Sequence, residues 1–300
     1  MQELSRVGVG GSEIAAANGF SRYLSRYGLW LVKTGRSAPF AGNVHTRLGQ
    51  LCEPRARQLY ATATGHDIAI PPCSVFHPEL AWARATPDGH RVDDPKHLVQ
   101  IKCVGYYVGR RWRYELPVEV LAQCQWEMFV TGAHTNDLAV LVGSDELDWE
   151  RFVLGDVADP QEIFEHAMLE IFTIHRSDQD IEVLRAGALE FLGLVERDEQ
   201  PPIDHSPECT AFQNRRASKS GITIDYIDAA ELVERWRVAD AVARAATAEL
   251  GVAKNLIRER MGIAGANRID TPAGPVMWIA RKGGSTQLRP PPGWGEPEDS

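Results

Sequence analysis

The sequence predicts an α/β protein: a central mixed β-sheet flanked by helices, then a C-terminal helical region with a small hairpin. Three observations carry this. Segments with apolar residues at helical spacing bracket short β-branched runs through the first 200 residues, the alternation expected of a sheet covered by helices. Pro and Gly punctuate those runs at sensible boundaries. Beyond residue 227 the composition turns alanine-rich and helical, with no further long apolar strand.

The elements follow in order. Gly8-Val9-Gly10-Gly11 is a glycine-rich turn leading into Ser12-Glu13-Ile14-Ala15-Ala16-Ala17, with Ser12 as the expected N-cap. A helix is expected over 21–33, closed by Gly35, and a longer one over 44–63. Val44, Leu48, Leu51, Leu59 and Tyr60 give the latter a 3.6-residue period, Gly65 is its stop, and Pro54 implies a kink or break. Short strands are expected at 68–70, 74–76 and 80–85, between Pro71-Pro72 and His77-Pro78, and a further strand at 98–103. Pro117 opens a helix over Val118–Thr131 that Gly132 ends. Residues 138–142 read as a buried strand, 149–154 as another strand and 160–195 as helical, with Pro201-Pro202 as a boundary. Residues 203–224 are polar and read as a linker or loop. Residues 227–261 are helical, with Leu232, Trp236, Ala239, Ala243, Ala246 and Leu250 on one stripe. Residues 269–271 and 276–279 suit a hairpin, and the proline- and acid-rich tail from 289 reads as disordered. The expected domains are a core over 1–203, a linker over 204–224, a helical region with hairpin over 225–288, and the tail.

Bulk properties exclude several classes. The hydrophobic share of 44% is that of a soluble globular chain, and no run of 18 apolar residues suggests a membrane span. No basic stretch leads into an apolar core at the N-terminus, so a secretory signal is not expected and a cytoplasmic location is. The five cysteines are odd in number and scattered, which suits reduced thiols, and none has C-x-x-C spacing for zinc or an iron–sulfur cluster. No phosphate-loop motif and no paired-histidine motif is present. A net charge of −9 rules out a generally basic DNA coat but leaves room for cations gathered in a groove. Candidate clusters are Arg22/Arg26, Arg55/Arg57, Arg110/Arg111/Arg113 and Arg215/Arg216/Lys219. Tyr106, Tyr107 and Trp112 interleave with the third cluster in what reads as a loop, a mixture that suits either gripping single-stranded DNA or packing under the domain.

The chemistry centres on Asp88, in Thr86-Pro87-Asp88-Gly89, and on Gln100 and Lys102 in Leu98-Val99-Gln100-Ile101-Lys102-Cys103. In a strand, Gln100 and Lys102 share one face while Val99, Ile101 and Cys103 share the other. A turn-borne aspartate beside them outlines a metal-dependent phosphodiesterase site, because such hydrolysis needs a divalent cation on hard oxygen ligands and a cation near the developing charge. Taken alone, one Asp and one Lys suit a structural role equally well.

Six segments in order resemble the YqaJ/lambda-exonuclease group of phage recombination nucleases, within the PD-(D/E)xK superfamily. Arg6-x-Gly8 with Gly10-Gly11-Ser12-Glu13-Ile14-Ala15 resembles the phosphate-binding segment, and Tyr27-Gly28-Leu29-Trp30-Leu31-Val32-Lys33-Thr34-Gly35 the helix after it. Gly49-x-x-x-Glu53-Pro54 resembles a helix bearing an acidic ligand, Ala85-Thr86-Pro87-Asp88-Gly89 the PDG turn, and Gln100-Ile101-Lys102-Cys103 the E-x-K-C strand. Ala122-Gln123-Cys124-Gln125-Trp126 with Val130-Thr131-Gly132 resembles the Q-x-Q helix. The resemblance spans roughly residues 5–203 and implies a restriction-endonuclease-like fold. It implies Asp88, Glu53 and Gln100 as ligands of Mg²⁺ (or Mn²⁺), with Asp88, Lys102, Gln123 and Gln100 as the catalytic set. Arg6, Ser12, Gln125, Arg110 and Arg111 would bind phosphate or DNA. Gln123 and Gln125 cannot both face the site, since two helical steps set them about 200° apart.

The pattern departs at Gln100, where the family carries an acid. The enzyme would work with Asp88 and Glu53 alone, or Asp93, Asp94, Glu119 or Glu127 would substitute, or the site would be silent. The resemblance implies 5′→3′ digestion of linear duplex DNA ends in phage-type recombination, by a ring-shaped homo-oligomer partnered by a single-strand annealing protein. An endonuclease or repair nuclease, or a catalytically silent DNA-end-binding protein, are the alternatives.

Overall fold

The two most buried strands among the described residues lie side by side and carry helices on both faces. The computed structural model describes residues 8–143, 167–216, 229–271, 274–280 and 286–290. The chain divides into two compact units, Met1–Ala217 and Ser218–Ser300. In chain order the first contains a 3₁₀ turn, Gly11–Glu13, running into α1 (Ile14–Ala17), then α2 (Arg26–Lys33), α3 (Val44–Thr64), β1 (Ile68–Ala69), β2 (Val75–Phe76), β3 (Arg84–Ala85), β4 (Gly89–Arg91) and β5 (His97–Val104). It continues with α4 (Tyr106–Trp112), α5 (Val118–Thr131), β6 (Thr135–Val142), β7 (Met168–His175), α6 (Asp178–Glu196) and α7 (Pro207–Arg216).

The main sheet has the order β1-β4-β5-β6-β7. Only β5 and β6 pair in parallel, with Gln100 opposite Leu138 and Lys102 opposite Val140; the other pairs are antiparallel, so the sheet is mixed. Parallel strands need cover on both sides, and both faces are covered. Val99, Ile101, Ala139 and Leu141 pack on Leu48, Cys52, Ala56 and Tyr60 of α3. Leu98, Leu138, Val140 and Val142 pack on Val120, Cys124 and Met128 of α5. The even-numbered side of β5, with Gln100 and Lys102, therefore faces α5. A third cluster joins α1, α2, α5, α6 and α7 around Tyr27, Trp30, Trp126 and Phe191.

Local signals explain where the elements stop. Gly65 and Gly132 close α3 and α5 in the left-handed conformation, at φ 75 and 67°. α3 runs unbroken through Pro54; that residue and Gln50 are both exposed, so water can serve the carbonyl that proline leaves unpaired. Ser25 caps α2 by accepting from Gly28 N at 2.9 Å, so this helix starts later than residue 21. Gly10, not Ser12, is the N-cap of the first turn. Val9 bridges to Ala83, and a Cβ on Gly8 would lie 2.4 Å from Trp82 O, so only glycine lets the chain approach there.

Three expectations need correction. Residues 168–175, read as helix, form β7; Ile171-Phe172-Thr173-Ile174 favours the extended state, and an eight-pair ladder with β6 decides it. Residues 203–224, read as a loop, contain α7, where Pro207 occupies the first helical position, Ser206 Oγ accepts from Cys209 N at 3.1 Å, and Cys209 is buried. The aromatic–basic segment after β5 is helical, as α4. The strand expected at 149–154 and the start of the 160–195 segment lie outside the described residues.

The second unit holds α8 (Ala229–Ala264) and a sheet of β8 (Arg268–Thr271), β9 (Gly274–Ala280) and β10 (Thr286–Arg289), all antiparallel in the order β10-β9-β8. The expected hairpin is present and gains β10, which takes up the first residue of the presumed tail; 291–300 lie outside the described residues. Among the described residues no helix is long and apolar enough to cross a membrane.

Candidate active site

Asp88 stands where the β4 ladder gives out. Gly89 pairs with Val99, and a Cβ on Gly89 would fall 2.2 Å from Ile68 Cγ2, so glycine lets β4 close on β1 and fixes the turn before it. Beyond that pair, β5 offers a backbone amide with no strand opposite. Asp88 Oδ2 fills the gap, accepting from Ile101 N at 2.8 Å and from Gln100 Nε2 at 2.5 Å. Burial pushes the Asp88 carboxyl above its ordinary value and Glu53 adds to this, while Lys102, the Ile101 amide and Arg57 pull the other way.

Gln100 is 2% exposed, and its Oε1 has no hydrogen-bond partner among the described residues. A buried carbonyl without a partner is costly. An ionised carboxylate only accepts, so Asp88 selects the Nε2 end of the amide and leaves Oε1 over.

Lys102, on the same face, donates from Nζ to Gln123 Oε1 at 2.9 Å. Gln123 Nε2 donates to Glu127 Oε1, one turn along α5, also at 2.9 Å, and Asn136 Nδ2 reaches Glu127 Oε2 at 3.3 Å. Glu127 is wholly enclosed, and burial, reinforced by the charge of Asp88, pushes its carboxyl up to about 8. Glu53, on α3, is tied to Asp88 through Arg57: Nη2 donates to Glu53 Oε2 at 2.9 Å and Nε to Asp88 O at 3.3 Å.

Asp88, Gln100, Lys102, Gln123 and Glu53 are thus linked in one place. Other expected site residues lie elsewhere. Gln125 is buried and fully engaged, donating to His175 O at 2.8 Å and accepting from Ser177 N at 2.9 Å; it pins α5 to the end of β7 and offers no group to DNA. Ser12 is exposed on the 3₁₀ turn, whose neighbour Gly11 abuts Gln123 and Glu127. Arg110 and Arg111 are exposed on α4, Arg110 over the Tyr106 ring at 5.7 Å. Arg6 lies outside the described residues. Of the four acids suggested as substitutes for Gln100, Asp93 pairs with His66, Asp94 caps Lys96 N and Glu119 pairs with Arg22; only Glu127 belongs to this network.

Two features escaped the sequence reading. Arg57 reads as one of several surface cations, although its i,i+4 spacing from Glu53 is a legible signal. Glu13 reads as an ordinary helix-start acid, yet it takes the buried Lys33 Nζ at 2.9 and 2.8 Å, Arg84 Nη2 at 3.2 Å and Gly10 N at 2.9 Å, which locks the N-terminal turn.

The donor set suits a hard divalent cation. Asp88 and Glu53 supply carboxylates, both Asp88 hydrogen bonds fall on Oδ2 rather than Oδ1, and the unpartnered Gln100 Oε1 is a neutral oxygen in want of a positive charge. Among the described residues no group of three or more His, Cys, Asp or Glu side chains is placed to hold a metal ion.

Residues 2–134 match the family model described as the YqaJ-like viral recombinase domain. "Uncharacterized protein YqaJ" of Bacillus subtilis (strain 168) is 24% identical over 155 residues, covering 50% of this chain and 48% of that one; the chain spans about half the length of this relative. Among solved structures, the alkaline exonuclease LHK-Exo of Laribacter hongkongensis is 20% identical with a TM-score of 0.49, over 72% of this chain and 98% of that one. A phage-related exonuclease from Haemophilus somnus 129PT is 15% identical with a TM-score of 0.47, over 66% and 99%. The matched stretch, residues 2–134, contains all six segments by which the sequence resembles this family.

Proposed function

We propose that the protein is a Mg²⁺- or Mn²⁺-dependent deoxyribonuclease, acting as a 5′→3′ exonuclease on linear double-stranded DNA in phage-type homologous recombination. The observation that carries this reading is the hydrogen-bonded convergence of Asp88 with Gln100 and of Lys102 with Gln123 on one face of β5. The match of residues 2–134 to the YqaJ-like viral recombinase domain supports a role of this class.

In this reading Asp88, Glu53 and the Gln100 carbonyl would hold the cation, which would supply charge neutralisation at the scissile phosphate and a more acidic water. Lys102, held by Gln123, orients the attacking oxygen and offsets charge as it develops on the phosphate. The exposed turn bearing Ser12, with Arg6, receives the 5′-phosphate, its backbone amides adding to the attraction. Arg110, Arg111 and the exposed Tyr107 of α4 follow Lys102 closely in the chain and contact the DNA near the site. A ring-shaped homo-oligomer and a single-strand annealing partner complete the reading, both resting on the family.

A second reading is favoured by one specific observation. Gln100 adds no charge and its amide occupies Asp88, as expected of a DNA-end-binding protein whose chemistry has lapsed. Incubation with 5′-phosphorylated linear duplex and with closed circular DNA, each with Mg²⁺ or Mn²⁺, separates the readings. Metal-dependent loss of the linear DNA alone is expected, abolished by Asp88→Ala or Lys102→Ala. Nicked circles would indicate an endonuclease, and retention without cleavage the silent binder.

A further inference from the structure

Glu127 is a buried acid to which the mechanism above gives no task. It lies on α5 one turn after Gln123, 1% exposed, with Oε1 on Gln123 Nε2 and Oε2 beside Asn136. The shape of a glutamine amide does not choose which end faces which neighbour. Turned by 180°, Gln123 would set its NH₂ against the Lys102 ammonium, donor against donor. Some group must select the orientation that places Oε1 on Lys102 Nζ.

Glu127 meets that need. A carboxylate oxygen accepts and cannot donate, so it takes only the Nε2 end of Gln123 and sends Oε1 towards Lys102. When the acid carries a proton, Oε2 has an outlet: the Asn136 amide, turned about, would accept it through Oδ1, which has no partner among the described residues. Oε1 stays an acceptor in both forms. The pair is also closed from above. A Cβ on Gly11 would stand 3.3 Å from Glu127 Oε1 and 3.5 Å from Gln123 Cγ, so the bare turn beside Ser12 packs directly on these two side chains.

We propose that Glu127 is a positioning residue: its carboxylate fixes the Gln123 amide so that the carbonyl holds the Lys102 ammonium. Its kinetic consequence rests on the nuclease reading; the geometry does not.

The full-length protein is compared as wild type, Glu127→Met, Glu127→Gln, Gln123→Ala and the Glu127→Met/Gln123→Ala double variant. Steady-state cleavage of 5′-phosphorylated linear duplex in Mg²⁺ gives kcat and KM. Removing the acceptor with Glu127→Met should lower kcat about tenfold or more, the usual scale for losing a group that orients another, with KM and Mn²⁺ affinity little changed. Glu127→Gln, which keeps an acceptor in place, should recover activity to within about threefold of wild type. The double variant should be no worse than Gln123→Ala, because both changes remove one arrangement. Additive losses, or an unchanged kcat in a folded Glu127→Met protein, would overturn the proposal. Should Glu127→Met fail to fold, Glu127→Asp decides: it keeps the acid but withdraws it from Gln123, and a kcat within about twofold of wild type sinks the idea. An independent readout is the Gln123 side-chain NH₂ signal in ¹⁵N-labelled protein, assigned through Gln123→Ala. It should be protected from solvent exchange in wild type and lose that protection in Glu127→Met. If wild type cuts no DNA but this signal behaves as expected, the nuclease reading fails and the positioning role stands; if the signal is unprotected in wild type, the positioning role fails by itself.

Discussion

Gln100 is the residue on which the proposed catalysis turns. As an amide it satisfies Asp88 without a cation, which a glutamate could not do. Gln100→Glu would set two carboxylates against each other where Nε2 now donates to Oδ2. The expected outcome is a protein less stable without metal, by about 1–3 kcal/mol, whose melting temperature rises more on adding Mg²⁺ than that of wild type. Nuclease activity should be kept or raised; tighter metal binding with no activity would refute the premise that charge at this position limits catalysis. Two other buried acids should leave opposite marks on stability. Glu127 has a folded-state pKa of about 8 against an ordinary 4.5, so the folded chain binds more protons between those values and stability falls as pH rises from about 4.5 to 8. Glu127→Gln should flatten that fall in urea-unfolding free energies. Asp137 is the reverse. Burial works to raise it, but hydrogen bonds from Tyr60, Thr173, Arg91 and His97 outweigh this and hold it below the ordinary carboxylate range. Its stabilisation is present at neutral pH and lost as pH drops through the acid range, so Asp137→Asn should weaken the protein most at pH 7 and least in acid. Charge at these positions is legible in a sequence; its sign of effect is not, because burial and partners come from β6, α3 and β7 together.

At the scale of elements, what the sequence disclosed follows physical self-sufficiency. α5 is legible to the residue, since Pro117 opens it and Gly132 can take the left-handed conformation that closes it. β5 is legible because its alternation separates a core face from Gln100 and Lys102. β7 is not, because its evidence lies on another strand, in the ladder with β6. Nor is α7, because its apolar face is small, little more than Cys209 and Phe212, and only the α2 surface shows why it is needed. The site follows the same division. Asp88, Lys102 and Gln123 stand out as candidates through motifs, whereas the bridge by Arg57 and the buried link to Glu127 need α3 and α5 set against the sheet. The joint between β1 and β4 can be tested directly. Gly89→Ala would press a methyl against Ile68 and the Ala69 carbonyl, whose oxygen lies 3.2 Å from the added Cβ. Overpacking of this kind destabilises by about 1–3 kcal/mol. Because the same turn carries Asp88, thermal unfolding should show both a lower melting temperature and a smaller Mg²⁺-induced rise. A lower melting temperature with an unaltered response to Mg²⁺ would mean that the turn does not set the proposed ligand.

At the scale of the molecule, the boundary between the two units decides what folds alone. The three clusters of buried apolar residues described for this chain all lie before residue 217. A fragment of residues 1–217, which keeps all three clusters, should therefore keep its far-UV circular dichroism and a single cooperative transition. Composition places the end of the core earlier, at residue 203, before the polar stretch. The two boundaries differ by α7. Tyr27, wholly buried, packs its ring on Phe212 at 6.3 Å and its hydroxyl accepts from Gln213 Nε2 at 3.1 Å, while Ser206 Oγ accepts from Ser25 Oγ at the start of α2. Cutting at 203 would strip these contacts and open the α2 surface to water. Losing buried aromatic contact of this size is worth about 2–5 kcal/mol, a large part of the stability of a domain. The 1–203 fragment should thus unfold at distinctly lower urea than 1–217, with a larger dye-binding apolar surface. Equal midpoints for the two fragments would show that α7 is an ornament on the core and that composition alone had set the boundary correctly.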